Sequence, residues 1–173
     1  MKTLKCDQCD GIMKPTVKDY RYQESGLSNV ILQGLRVYVC ESCQEETPEI
    51  PNLLHLHRVI TKALLTKPAL LTGPEIRFLR RHVGLKAAEF ADQLGTTAVT
   101  VSRWETGAIA IDPKTDRLIR FLCVRKLEEA ANRLLLPGLY GVVTAVRASA
   151  RRSAPIRISR RQLHHPGEVF ASV

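Results

Sequence analysis

The sequence predicts an α+β chain: a small β-rich N-terminal domain, then an all-α domain built on a helix-turn-helix, then a disordered basic tail. Three observations predict it. Four of the five cysteines stand as two pairs, Cys6-x-x-Cys9 and Cys40-x-x-Cys43, with β-branched and aromatic runs between them. The stretch Leu85–Gly107 has the apolar spacing of two short helices packed across each other. Beyond Pro137, six arginines lie among Ala, Ser and Pro, with few large apolar side chains to bury. The expected boundaries are 1–50 for the cysteine domain, 51–71 for a helical linker, 72–136 for the helix-turn-helix domain and 137–173 for the tail.

The 173 residues carry a net charge of +9 and a pI near 9.6, which points to an anionic partner such as nucleic acid. The charge is uneven. Residues 1–51 hold six Lys/Arg against eight Asp/Glu, whereas 137–173 hold six against one. An acidic head and a basic remainder suggest two different partners. The first residues lack the apolar core of a secretion signal, and no run approaches the ~18 apolar residues of a membrane span. A cytoplasmic protein with reduced cysteines is expected, and there clustered thiols more often bind metal than pair as disulfides.

In the head, each C-x-x-C is a short knuckle that aims two thiolates at one ion. Cys6, Cys9, Cys40 and Cys43 together complete a tetrahedral site for structural Zn²⁺. Thirty residues separate the pairs. Within them Thr16–Tyr22 and Val30–Val39 read as strands and Gln23–Asn29 as the turn, so the returning chain brings Cys40 beside Cys9. Four thiolates leave no vacancy for substrate, and no thioredoxin-like βαβ context surrounds either pair. Leu53–Leu64 then reads as an amphipathic helix after Pro51, with His55 and His57 on its surface.

Thr72–His82 is the next helix, with Pro74 and Glu75 in its first turn and Arg77, Arg80 and Arg81 either facing phosphate or forming a solvated face. Phe90 and Leu94 share one face of the first motif helix; Val101 and Trp104 share one face of the second. Gly95 suits a left-handed C-cap, Thr97 caps a helix starting at Ala98, and Gly107 ends it. Thr97, Ala98, Val99, Thr100 and Arg103 are thereby directed outward, with Lys86 at the start of the first helix. These six are the expected DNA contacts, and Arg103 is the base reader. Asp112-Pro113 caps a long helix whose later half is either a dimer surface or intrachain packing. Cys123 is expected as a small core residue.

The spelling LGTT…VSRWETG resembles the Xre/Cro-type DNA-binding domains over roughly Leu71–Leu122. The glutamine usual at the start of their first motif helix is Ala87 here. A C-x-x-C, thirty residues, a second C-x-x-C, a helix and then an Xre-type motif resembles the MqsA-type antitoxins. That resemblance implies a zinc finger that binds a ribonuclease toxin, and a helical domain that dimerises on operator DNA.

The leading expectation is therefore a sequence-specific transcriptional repressor of antitoxin type: a homodimer on a palindromic operator, with a protein toxin as second partner. The alternative is a stand-alone zinc-containing regulator with no toxin. An enzyme is not expected, because there is no nucleotide-binding glycine loop, no H-E-x-x-H and no assembled triad.

Overall fold

The computed structural model describes residues 4–132, 140–141, 143–144, 146, 154–164 and 169. A β-rich N-terminal region carrying the cysteines is followed by helices that include the helix-turn-helix. Strands β2 (Ile12–Arg21) and β3 (Val30–Cys40) form an antiparallel hairpin with Met13 opposite Cys40. The short strands β1 (Leu4–Lys5) and β4 (Glu46–Pro48) pair with β2 and β3 respectively.

The hairpin register shifts between Lys18 and Tyr20, opposite Gln33-Gly34. Gly34 takes φ +61°, and its N–H donates to Asp19 Oδ1 at 3.1 Å. The extra residue has a consequence for the core. Val30 and Leu32 alternate, as do Leu35 and Val37, and the two pairs would face opposite ways without a bulge between them. With it, all four are buried.

Helix α1 (Leu53–Thr66) begins at Asn52, whose side chain accepts from the His55 N–H at 2.9 Å. Its residues Leu56, Ile60 and Leu64, four apart, are fully buried. The surface expectation fails for His55, which is buried with Nε2 2.7 Å from the carbonyl of Gln162. The neighbour that covers it comes from the far end of the chain, so helix periodicity gave no sign of it.

Helices α2 (Gly73–His82), α3 (Ala87–Gln93), α4 (Ala98–Thr106) and α5 (Pro113–Ala131) follow. One hydrophobic cluster runs from Leu32 and Leu35 of the sheet through Ile60 and Leu64 to Phe90, Val101 and Ile119. Cys123 is buried in it, as expected.

Part of the region expected to be a disordered tail is ordered. Strand β5 (Ile156–Ser159) pairs parallel with Val30–Gln33 of β3, and α6 (Arg160–His164) follows directly. Ile158 and Leu163 are buried. The tail's composition is poor in apolar residues on average, but three correctly spaced ones suffice where β3 presents unpaired backbone groups. Arg147, Arg151, Arg152, His165 and the expected helix end at Pro137-Gly138 lie outside the described residues.

Where the hairpin turn meets α2, the rings of His57, Phe78 and His82 pack together, and Tyr22 Oη lies 3.0 Å from His57 Nε2. Burial, then the charges of His57 and Arg58, push His82 down to about 4, and burial lowers His57 as well. A histidine held neutral in the fold stabilises above its unfolded pKa near 6.5 and loses that contribution as pH falls toward the folded value. Thermal stability should therefore decline as pH drops from about 6.5, and His82→Phe should decline less steeply over pH 7 to 5.5. Parallel slopes for the two proteins would show that His82 does not drive the loss, and the comparison separates it from acid release of any thiolate-bound metal.

Candidate metal centre and nucleic-acid interface

The two cysteine knuckles are built alike. Cys6 N–H donates to Gly11 O, and Asp10 N–H to Cys6 O, both at 2.9 Å. In the second, Cys40 N–H donates to Glu45 O at 2.9 Å and Gln44 N–H to Cys40 O at 3.1 Å. In each, the residue after the second cysteine takes the left-handed conformation: Asp10 at φ 57° and Gln44 at φ 61°. That reversal folds the backbone around the sulfurs. Gly11 is required for close approach, because a Cβ there would sit 3.0 Å from Cys40 Sγ and 3.2 Å from Cys9 Sγ.

The β2–β3 register then superposes the knuckles, as the sequence predicts. Cys6 Sγ and Cys43 Sγ are 3.5 Å apart, as are Cys9 with Cys40 and Cys9 with Cys43. All four sulfurs lie within 4.8 Å of one another. A disulfide would need about 2.05 Å. A tetrahedral ion with metal–sulfur bonds of about 2.3 Å spaces its ligands about 3.8 Å apart, so the donor set fits zinc. Hydrogen bonds from the Cys43 and Ser42 N–H groups help pull Cys40 down to about 6, whereas contacts with neighbouring thiols and burial push Cys43 up to about 12 and Cys9 up as well, so without an ion only one of these sulfurs is favoured as a thiolate. Such an ion would act as a cross-link between the knuckles.

The second site is the helix pair α3–α4. Phe90, Ala91 and Val101 are buried between them, and Trp104 packs at the edge. Each expected punctuation mark is present. Gly95 and Gly107 have φ +64° and +77°, and Thr97 Oγ1 accepts from the Thr100 N–H at 3.1 Å. Helix α4 is locked from behind by α2. Arg80 donates to Glu105 at 2.5 Å from Nε and 3.1 Å from Nη2, and to Leu85 O at 2.8 Å. Gly73 abuts the end of α4 so closely that a Cβ would lie 2.5 Å from Trp104 O.

Arg80 is therefore available neither for phosphate nor as part of a solvated face, the two readings the sequence allowed. Its fork is bound to a carboxylate twenty-five residues away. Arg77 and Arg81 are exposed.

Of the residues expected to meet DNA, Lys86, Thr97, Ala98, Val99 and Arg103 are exposed and Thr100 is half-buried. Val99 is 60% exposed. Arg103 has no ion pair among the described residues, because Glu105 is held by Arg80 with Arg77 at 3.9 Å. Thr97 and Thr100 share a hydroxyl contact at 2.9 Å within the cap. Ser102, passed over in the sequence, is exposed on the same helix. Its spacing of three from Val99 places it on that face.

A family model described as helix-turn-helix matches residues 76–124, from within α2 to within α5. The chain thus carries a DNA-binding helix-turn-helix of the kind found in transcriptional regulators. No curated protein matches the chain. Among the described residues no helix is long and apolar enough to cross a membrane.

Proposed function

We propose that this protein is a sequence-specific transcriptional repressor of antitoxin type, a homodimer that binds a palindromic operator through α4 and a toxin through its zinc-bound head. Cys6, Cys9, Cys40 and Cys43 hold structural Zn²⁺. Lys86, Thr97, Ala98, Val99, Thr100 and Arg103 meet DNA. The observation that carries the reading is the outward face of α4. It presents one unpaired arginine fork beside exposed Ala98 and Val99, on a helix locked from behind by the Arg80–Glu105 pair.

The chemistry follows from that face. Ala98 and Val99 offer only apolar contact, such as to a thymine methyl. Arg103 alone can take guanine O6 and N7 together, a pair worth about 1–3 kcal/mol of discrimination. The head contributes exposed acidic residues, among them Asp7, Asp10 and Glu41, and four thiolates on Zn²⁺ add two negative charges. It repels DNA and suits a basic protein partner.

Arg103→Ala should flatten the preference at one base per half-site. Binding to a panel of operators substituted at each position measures it, and an equal loss on every sequence would make Arg103 a phosphate contact. The toxin is tested by capture on the full chain. A toxin retained equally well after charge reversal at Asp7, Asp10 and Glu41 would move its site away from the head.

A further inference from the structure

A cleft of about 610 Å³ opens between the β2–β3 turn, α1, α2 and the end of α4. It is distinct from the cysteine cluster and from the outward face of α4. Its size falls within the range of small-molecule sites, roughly 300–1,000 Å³.

One wall of this cleft is a group of rings. Phe78 and His82 stack with centroids 5.9 Å apart and planes 5° from parallel, and His57 meets Phe78 edge-on at 5.5 Å. Burial keeps both histidines below their ordinary pKa, so at neutral pH the wall is an uncharged aromatic surface.

The cations stand above it. Arg77 and Arg81 are four residues apart on α2, so they rise side by side from one helix face, and both line the cleft. Among the described residues their charge is met only weakly. Arg77 is 3.9 Å from Glu105, too far for a hydrogen bond, and Glu105 already receives the fork of Arg80. Arg81 has no ion pair or side-chain hydrogen bond among the described residues. Of the two carboxylates at the rim, Glu105 is thus neutralised; Glu24 accepts from the Tyr20 hydroxyl at 2.6 Å, a neutral donor that does not offset its charge, so two arginines face one carboxylate with no ion pair among the described residues. Two guanidinium forks beside a flat neutral wall recognise a planar body with an anionic group on its edge.

We infer that this cleft binds a small organic anion with a flat aromatic body, its anionic group held by Arg77 and Arg81 and its ring laid on Phe78 and His82. The site touches Glu105, two residues after Arg103. On the DNA-binding reading proposed above, it is therefore an effector site next to the recognition helix.

Calorimetric titration of the full-length protein with 2-naphthoate, 2-naphthyl phosphate and the uncharged 2-naphthamide tests the site without DNA. At least one anion should bind more tightly than about 1 mM and about tenfold or more better than the amide. Arg77→Ala and Arg81→Ala, both at exposed positions, should each remove most of that margin, while their circular dichroism and melting match the parent.

The inference is overturned if neither anion binds, if the amide binds equally well, or if anion binding survives both substitutions. It is also overturned if Arg81→Ala weakens only DNA binding, which would make the arginines phosphate contacts. An operator assay run alongside separates the two readings. Anion binding with no DNA binding at all would leave the cleft standing and remove the repressor.

Discussion

Cys40→Ser should cost the protein its metal and the fold of its N-terminal end. The reason lies in how little else holds that end together. Among the described residues its buried cluster consists of Cys6, Met13 and Cys40, with only Tyr38 packed against it. An apolar core of that size cannot hold two knuckles and two strands of two and three residues. A Zn²⁺ bound there would supply the missing energy, since structural sites in small zinc peptides are worth roughly 10–16 kcal/mol. A serine hydroxyl stays protonated and gives the ion no thiolate.

The expected result is loss of the single equivalent of zinc that the parent protein should carry. Amide exchange should become fast over residues 4–13 and 41–48. Protection should persist in α1 to α5, because Leu32, Leu35 and Val37 of the hairpin belong to the larger cluster and not to the metal end. Metal analysis with exchange mass spectrometry measures both. A Cys40→Ser protein that keeps its zinc and its protection would refute the four-thiolate site.

Arg120→Met should destabilise the helical body by about 3–5 kcal/mol, the loss typical when one partner of a buried ion pair is removed. Arg120 is a fully buried side chain in the middle of α5. Its Nε donates to Asp116 Oδ2 at 2.7 Å, and Nη1 donates to the carbonyls of Leu64, Leu65 and Lys67, each at 2.9 Å. Nη2 reaches Ala69 O at 2.8 Å. Asp116 Oδ1 in turn accepts from the Leu71 N–H at 2.9 Å.

The carbonyls are the key to the magnitude. The last turn of a helix has no intrahelical donors for its C=O groups. Helix α1 ends at Thr66 with no basic residue in its last turn and no left-handed cap. Arg120 is that cap, delivered from more than fifty residues away. Methionine would fill the volume but strand these carbonyls and a buried carboxylate.

Arg120→Lys should fail nearly as badly, since one ammonium cannot reach four carbonyls spread over six residues. Urea denaturation of the zinc-loaded protein measures both. The double variant Arg120→Met with Asp116→Leu should lose less than the sum of its parts, because the stranded charge is gone. A midpoint shift worth under about 1 kcal/mol for Arg120→Met would show that water replaces the arginine at no cost.

Much of this architecture was legible in the chain because the deciding interactions are local. Thr97, Asp112 and the Thr72–Glu75 pair start helices through bonds that span three or four residues. Gly95 and Gly107 end helices through their own φ. The C-x-x-C spacing sets the reach of two sulfurs, and the strand pattern returns Cys40 to Cys9. Each of these is settled within one turn or one hairpin, where sequence separation and spatial distance still agree.

What packing alone decided concerns groups whose partner lies far along the chain. Arg77, Arg80 and Arg81 look alike in the sequence, yet only Arg80 is taken out of solvent, because Glu105 comes to rest against it. His55 is covered by Gln162, and Ile156–Ser159 becomes a strand because β3 has an open edge beside it. Arg120 in sequence is one more charge on a long helix; in the fold it closes α1. A long polar side chain reaches several ångströms in any direction, so its role depends on which element packs within that reach, and only the assembled core determines that.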